Sequence, residues 1–287
     1  MTLKEAYGCG SAYLKSRGIG DASLDAWYLL EYLTGKRKSD YYAHGEEPLT
    51  FDQERRYQEL LEKRGSRIPL QHLTGYQEFM GLAFRVGPDV LIPRQDTETL
   101  VEEALKVLKP GMRILDVCTG SGCILLSLLC HCVGTQGVGV DVSAEALKIA
   151  RANAEALLVP EDGKDQARAE FRKSDMFSEI DRSETFDCIV SNPPYIASKE
   201  IAELMEEVRN HEPILALDGG DDGLHFYRIL AKEAGCYLKD KGCLLVEIGY
   251  DQGAAVSELM EAAGFVEVRV IRDLCGNDRV VSGRKDR

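Results

Sequence analysis

Four residues in the middle of the chain, Asn192-Pro193-Pro194-Tyr195, have the types and the spacing to activate a planar nitrogen. They follow an apolar run, Phe186–Ser191, that reads as a buried strand, which places them at a strand's carboxyl end. A nitrogen conjugated to a carbonyl or a ring is a poor nucleophile because its lone pair is delocalised. If its two N–H groups donate to the Asn192 side-chain oxygen and the Pro193 carbonyl, electron density builds on nitrogen and the group is aimed at an electrophile. The diproline fixes φ and holds those acceptors rigid, with Pro194 as its second half. Tyr195 is placed to pack on the planar group. No tuned general base is needed, since the nitrogen is strongly acidic once alkylated. A plain rigid turn would need the prolines, but neither the Asn before them nor the aromatic after them.

A second constellation precedes this one. Asp116-Val-Cys118-Thr119-Gly120-Ser121-Gly122 lies where an apolar strand turns into a helix, and small residues there let a ligand approach the backbone. A dinucleotide fingerprint fits Gly120 and Gly122 but meets Leu125 at its third position, and a P-loop lacks its Gly-Lys-Ser/Thr. The pattern left is the D/E-x-G-x-G-x-G loop of S-adenosylmethionine (AdoMet) methyltransferases, with Cys118 standing where the first glycine would be. Asp141 ends the next strand, in Gly-Val-Gly-Val-Asp, where its carboxylate can accept both hydroxyls of a ribose. A tight turn with a solvent-facing Asp is the plainer alternative.

The elements that must position these residues alternate from Asp96 onward. Strands are expected at Arg113–Cys118, Gly137–Val142, Ala169–Lys173, Phe186–Ser191, Gly242–Ile248, Val266–Ile271 and Arg279–Ser282, with helices between most of them. Continuous apolar strands alternating with helices mean a parallel sheet covered on both faces. The last two strands are joined too closely for a crossover helix, so that pair should be antiparallel. Residues 1–75 read as helices only. Asp21 is expected to cap a helix with Leu24, Trp27, Tyr28, Leu30 and Leu33 on one side. Thr50-Phe-Asp-Gln53 is a capping box opening a helix with Tyr57, Leu60 and Leu61. Between the two regions, Gln77–Val86 and Val90–Ile92 read as extended segments around Gly87-Pro88-Asp89, a hairpin linker. The division is therefore 1–75 helical, 76–95 linker, and 96–287 cofactor-binding.

Composition narrows the class. The chain has 287 residues, 29% charged and 44% hydrophobic, a globular balance that excludes wholesale disorder. Its formal net charge of −13 argues against binding nucleic acid through phosphates. Nine cysteines, none in a CxxC and most in apolar runs, read as reduced and buried, with no disulfide frame and no metal site. There is no signal peptide and no apolar run long enough to span a bilayer, so the expected location is the cytoplasm.

With these residues in place, the chain closely resembles the release-factor glutamine N5-methyltransferases, the HemK family. The likeness covers nearly all of it. Gln71-His-Leu-Thr-Gly75 leads into Gln77-Glu-Phe79, and Leu91-Ile-Pro-Arg-Gln-Asp-Thr-Glu98 follows. The Cys118–Gly122 loop, Asp141, Ser174-Asp-Met-Phe177 and Asn192–Ile196 come next. His211-Glu-Pro213, Leu245-Val-Glu-Ile-Gly249 and Gly276-Asn-Asp-Arg279 complete the set. The resemblance implies an α/β class I AdoMet-dependent methyltransferase domain: Rossmann-like, mostly parallel, with an antiparallel C-terminal strand. A small all-helical N-terminal domain that recognises the protein substrate would precede it. It implies methyl transfer to the glutamine amide in the Gly-Gly-Gln motif of peptide-chain release factors, with no nucleic acid and no membrane as partner. Carried over by residue, Cys118–Gly122, Asp141 and Met176 would hold AdoMet, Met176 beside the adenine where many relatives have an aromatic. Asn192–Tyr195 would hold the glutamine amide, with Asn192 also near the methyl group. Gln95 departs from the Pro common in relatives, and Arg94–Glu98, near the cofactor in the family, is given no catalytic step.

Three alternatives share features. A glutamine methyltransferase of a ribosomal protein shares the NPPY loop, but typically carries Pro-Arg-Ser-Pro where this chain has Pro-Arg-Gln-Asp-Thr-Glu. A DNA or RNA amino-methyltransferase would add a basic, aromatic-bearing region, and a non-catalytic AdoMet-binding scaffold would not need Asn192–Tyr195 intact. Charge is unevenly spread: residues 1–75 hold 11 basic and 11 acidic side chains, so the whole imbalance lies in 76–287. Between Lys199 and Asp222 there are eight acids and two bases, either a solvated helix face or a surface, including Glu203, Glu206 and Glu207, that receives a basic protein.

Overall fold

The computed structural model describes residues 1–159 and 168–286. It divides into two compact units, one of Met1–Tyr76 with Met205–His211, the other of Gln77–Leu204 with Glu212–Arg287.

The first unit is built on α1 (Leu3–Ser16), α2 (Ala22–Thr34), α3 (Lys38–His44), α4 (Phe51–Gly65) and α5 (Leu70–Thr74). The capping box at Thr50 forms: its hydroxyl accepts the Gln53 N–H at 3.2 Å and Gln53 Oε1 accepts the Thr50 N–H at 2.9 Å. Thr2 opens α1 in the same way. Asp21, by contrast, precedes α2 without capping it. The apolar stripe expected on α2 holds in part: Trp27 and Leu30 are buried and Leu33 packs against the core, but Leu24 and Tyr28 are exposed, and Ala22, Ala26 and Leu29 are buried beside them. The reason is electrostatic. Asp25 is buried because Arg64 Nε donates to its Oδ2 at 2.7 Å, and that pair turns Asp25 inward and Leu24 out. Arg64 and Arg67 also donate to Glu207 Oε1, at 3.3 and 3.2 Å. Glu207 is thus an internal ion-pair partner of this unit and drops out of the acidic surface expected around it.

The second unit begins with a hairpin, β1 (Tyr76–Phe79) and β2 (Leu82–Arg85). Its turn is Met80-Gly81, both with positive φ (52° and 72°), the geometry of a two-residue turn that matches strand twist. The turn therefore does not lie at Gly87-Pro88-Asp89, and Val90–Ile92 is no strand. Val90 and Ile92 are buried instead as irregular chain. A Met in left-handed backbone is rare enough that sequence offered no sign of this turn.

Then follow α6 (Glu98–Leu105), β3 (Arg113–Val117), α7 (Cys123–His131), β4 (Gln136–Asp141), α8 (Ala144–Leu157), β5 (Arg168–Lys173) and β6 (Phe186–Ser191). The chain continues through α9 (Glu206–His211, in the first unit), α10 (His225–Tyr237), β7 (Leu238–Glu247), α11 (Gly253–Ala262), β8 (Phe265–Arg272) and β9 (Asp278–Lys285). The seven-stranded sheet has the order β5-β4-β3-β6-β7-β9-β8. β3 pairs in parallel with β4 and β6, and β7 with β6, while β9 inserts antiparallel between β7 and β8. The class I methyltransferase fold, with its antiparallel C-terminal strand, is what the sequence led us to expect.

Alternate residues of each strand feed two cores. Ile114, Cys188, Val190 and Leu245 pack with α6 and α7, whereas Leu115, Val117, Ile189 and Val246 pack with α10 and α11. Strand order reverses at β3, so the carboxyl ends of β3, β4 and β6 flank a crevice, the place where open sheets of this kind bind ligands. Among the described residues, no helix is long and apolar enough to cross a membrane.

Candidate active site

A cavity of about 360 Å³ occupies that crevice. Its wall takes residues from the ends of successive strands: Cys118–Ser121 after β3, Asp141–Ser143 from β4, Ser174–Met176 after β5, and Asn192 and Pro194 after β6. The two constellations singled out in sequence therefore meet in one cavity. The register explains why. Val117 lies opposite both Val140 and Ser191, and the Ser191 hydroxyl donates to the Val117 carbonyl at 2.7 Å. Asn192 is thereby locked beside the Gly-rich turn.

That turn is held from below and from the side. Asp116 is fully buried, receives the Thr119 hydroxyl at 2.6 Å, and has its pKa pushed up to about 7 by burial. Asp141 Oδ2 accepts the Gly120 N–H and its Oδ1 the Ser143 N–H, both at 2.9 Å, while burial raises its pKa against those two bonds. Asp141 thus braces the turn as well as facing the cavity, and its remaining lone pairs are available to a diol. Gly122 lies outside the cavity wall; at φ 79° it starts α7, and a Cβ there would press on Ala150 and Phe171.

Cys118 has φ 62°, the left-handed conformation that explains why a glycine is usual at its position. Burial pushes its thiol far above the ordinary range. Met176 is also left-handed, φ 50°, and is buried in the cavity wall.

The Asn192–Tyr195 loop is fixed at both ends. Asn192 Nδ2 donates to Thr97 Oγ1 at 3.3 Å, and the Tyr195 hydroxyl donates to Glu247 Oε1 at 3.3 Å. Gln252 Nε2 donates to the Tyr195 carbonyl at 3.0 Å. Gly219 passes so close that an added Cβ would sit 2.8 Å from Tyr195 Cα, so only glycine permits this brace. Pro193 and Tyr195 lie outside the cavity wall, and the Tyr195 ring belongs to the apolar core under the loop.

The wall also takes residues from outside those two constellations. His225 and Phe226, edge-to-face at 4.9 Å, line the cavity from the start of α10, where they resembled any amphipathic helix. Leu91, Pro93, Arg94 and Thr97 contribute from the segment before α6. Glu212, buried, clamps this segment: it accepts from Arg94 Nη2 at 2.5 Å and from the Ile92 N–H at 3.3 Å. The lining suits an extended ligand with a diol, at Asp141, and a flat ring, near Met176, Val142 and Ile124. Asn192 then faces the ligand's other end.

Comparisons with known proteins agree over the whole chain. Residues 5–75 match the PrmC N-terminal domain and residues 95–220 the Methyltransferase small domain. The chain is 41% identical to the release factor glutamine methyltransferase of Agrobacterium fabrum, over 95% of this chain and 93% of that one. It is also 41% identical to that of Caulobacter vibrioides, over 100% and 97%. A methyltransferase structure from Pyrococcus furiosus aligns with TM-score 0.55 at 20% identity, over 78% of this chain and 98% of that one, a likeness of fold alone. Identity at this level over the full length of the chain places it in the release factor glutamine methyltransferase family.

Proposed function

We propose that the protein transfers a methyl group from S-adenosylmethionine to the side-chain amide nitrogen of the glutamine in the Gly-Gly-Gln motif of peptide-chain release factors. The observation that carries this reading is the position of Asn192 on the wall of the same cavity as Cys118–Ser121 and Asp141. AdoMet, when bound, supplies a sulfonium methyl that reacts with a correctly aimed nucleophile without further activation. Asp141 would accept the ribose hydroxyls, and Met176 would lie by the adenine. Asn192 Oδ1 and the Pro193 carbonyl would accept the two amide N–H groups, localising the lone pair and orienting it. Catalysis is then positioning with fixed dipoles, which cost no reorganisation at the moment of transfer.

The helical first unit is assigned to recognition of the release factor, and the location to the cytoplasm, where that substrate is. Incubation with labelled AdoMet and purified release factor, ribosomes or DNA tests the reading. Label should appear in the release factor alone and vanish when the motif glutamine is changed to alanine. Label in ribosomal protein or nucleic acid would overturn it.

A further inference from the structure

Asparagine's amide has almost the same shape either way round, so something must decide that its oxygen, not its nitrogen, faces the substrate. Asn192 Nδ2 donates to Thr97 Oγ1. A hydroxyl can also donate, however, and a Thr97 that donated to Asn192 Oδ1 would turn the amide round. Thr97 is 2% exposed and sits at the start of α6, yet its side chain makes no capping bond to the helix. Its proton needs another acceptor.

Glu247, the last residue of β7 and 1% exposed, is that acceptor's candidate. Its Oε1 takes the Tyr195 hydroxyl, and its Oε2 is buried with no close hydrogen-bond partner. The Thr97 hydroxyl nevertheless stands near enough to this carboxyl to favour its ionised form. A carboxylate only accepts, so a Thr97 proton directed at Glu247 leaves Thr97 with lone pairs alone for Asn192.

We propose that Glu247, acting through Thr97, sets the orientation of the Asn192 amide so that Oδ1 faces the substrate nitrogen, while its bond to Tyr195 holds the far end of the same loop. Glu247 and Thr97 are positioning residues; neither touches the reacting atoms. This inference rests on the role given to Asn192 above.

The groups facing Glu247 define its pH behaviour. Tyr195 donates to it, the Thr97 hydroxyl stands near it, Arg279 adds positive charge, Asp96 adds negative charge, and the Tyr227 hydroxyl donates to its main-chain carbonyl at 2.8 Å. Burial outweighs the favourable partners and pushes its pKa up to about 7. Once protonated, Glu247 donates to Thr97 and frees the Thr97 proton for Asn192 Oδ1, the unproductive orientation. Methyl transfer should therefore slow as pH falls through about 7.

The test compares Thr97→Val, which keeps the shape, with Thr97→Ser, which keeps the hydroxyl, using single-turnover transfer to the release factor and direct titration of AdoMet. Thr97→Val should transfer at least about tenfold more slowly with AdoMet affinity held within about threefold, and Thr97→Ser should recover most of the rate. Glu247→Gln should lose the acid limb near pH 7. Equal rates for Thr97→Val and wild type, or for Thr97→Val and Thr97→Ser, overturn the relay, as does an acid limb that survives in Glu247→Gln. Independently of any substrate, protection of the Asn192 side-chain NH2 from hydrogen exchange should fall in Thr97→Val; unchanged protection also overturns the relay. If the wild type labels no release factor, the proposed substrate fails, and the exchange measurement still decides the relay.

Discussion

Cys118 and Met176 meet sulfur to sulfur, Sγ donating to Sδ at 3.8 Å, and both hold a left-handed backbone usually reserved for glycine. Two non-glycine residues in that conformation, in contact in the wall of one cavity, mark a place where backbone shape is imposed by the site. The contact joins the end of β3 to the segment after β5.

The first prediction concerns that contact. Cys118→Gly should leave the fold intact and keep cofactor affinity within about threefold, because glycine adopts the same φ without strain. Cys118→Val should destabilise the protein by about 1–3 kcal/mol and weaken cofactor binding, since a β-branched residue resists positive φ. Thermal melts and calorimetric titration of both variants check this, and equal behaviour of the two would show that φ does not govern the position.

Asn192→Ala removes the side-chain acceptor but leaves the Asp141 end of the cavity untouched. Transfer should fall by about a hundredfold or more while AdoMet affinity stays within about tenfold, as for loss of one preorganised polar partner. Loss of cofactor binding in its place would mean that Asn192 serves the cofactor and not the amide.

Stability should depend on pH in an unusual direction. Asp116 and Glu247 are carboxyls whose pKa burial raises to about 7 in the folded chain, above their unfolded values. Between the unfolded pKa and about 7, the folded state binds more protons than the unfolded one, so lowering the pH from 8 to 6 favours folding. The melting temperature should rise over that interval, and Asp116→Asn combined with Glu247→Gln should flatten the dependence. A fall in melting temperature from pH 8 to 6 would contradict the assignment.

Arg64 joins Asp25 and Glu207 in the first unit, with both carboxylates within 3.3 Å. Arg64→Ala leaves Asp25 buried without its partner and should cost about 3 kcal/mol, readable in a denaturant melt. A cost near zero would mean that Asp25 escapes to solvent.

The acidic surface after the NPPY loop reduces to side chains that remain exposed, notably Glu203 and Glu206. Reversing these two charges should slow association with the release factor at low salt and have little effect at high salt, because steering by exposed charge is screened. Stopped-flow association rates at two ionic strengths decide between a docking surface and a solvated face. Glu207→Lys should instead lower stability, through its bonds to Arg64 and Arg67.

The sequence by itself determined the parts whose physics is local. Apolar strands at Arg113, Phe186 and Gly242, the capping box at Thr50, and the small residues from Cys118 to Gly122 are properties of short segments, and each can be read without knowing its neighbours. The same is true of Asn192–Tyr195, whose residue types are specific enough to name a chemistry. Tertiary structure alone decided the rest. Thr97, Glu212, Glu247 and Phe226 come to the site from segments far apart in sequence; the family resemblance includes the segments of the first three, but only the closed chain shows which groups they meet. Leu24 faces solvent because Asp25 is drawn inward by an arginine 39 residues away. Tyr195 is tied to β7 because a carboxylate there accepts its hydroxyl. Local pattern records which residues prefer burial or a turn, but the partner that satisfies a buried polar group is chosen only when the chain closes on itself, and such a partner decides where a side chain points.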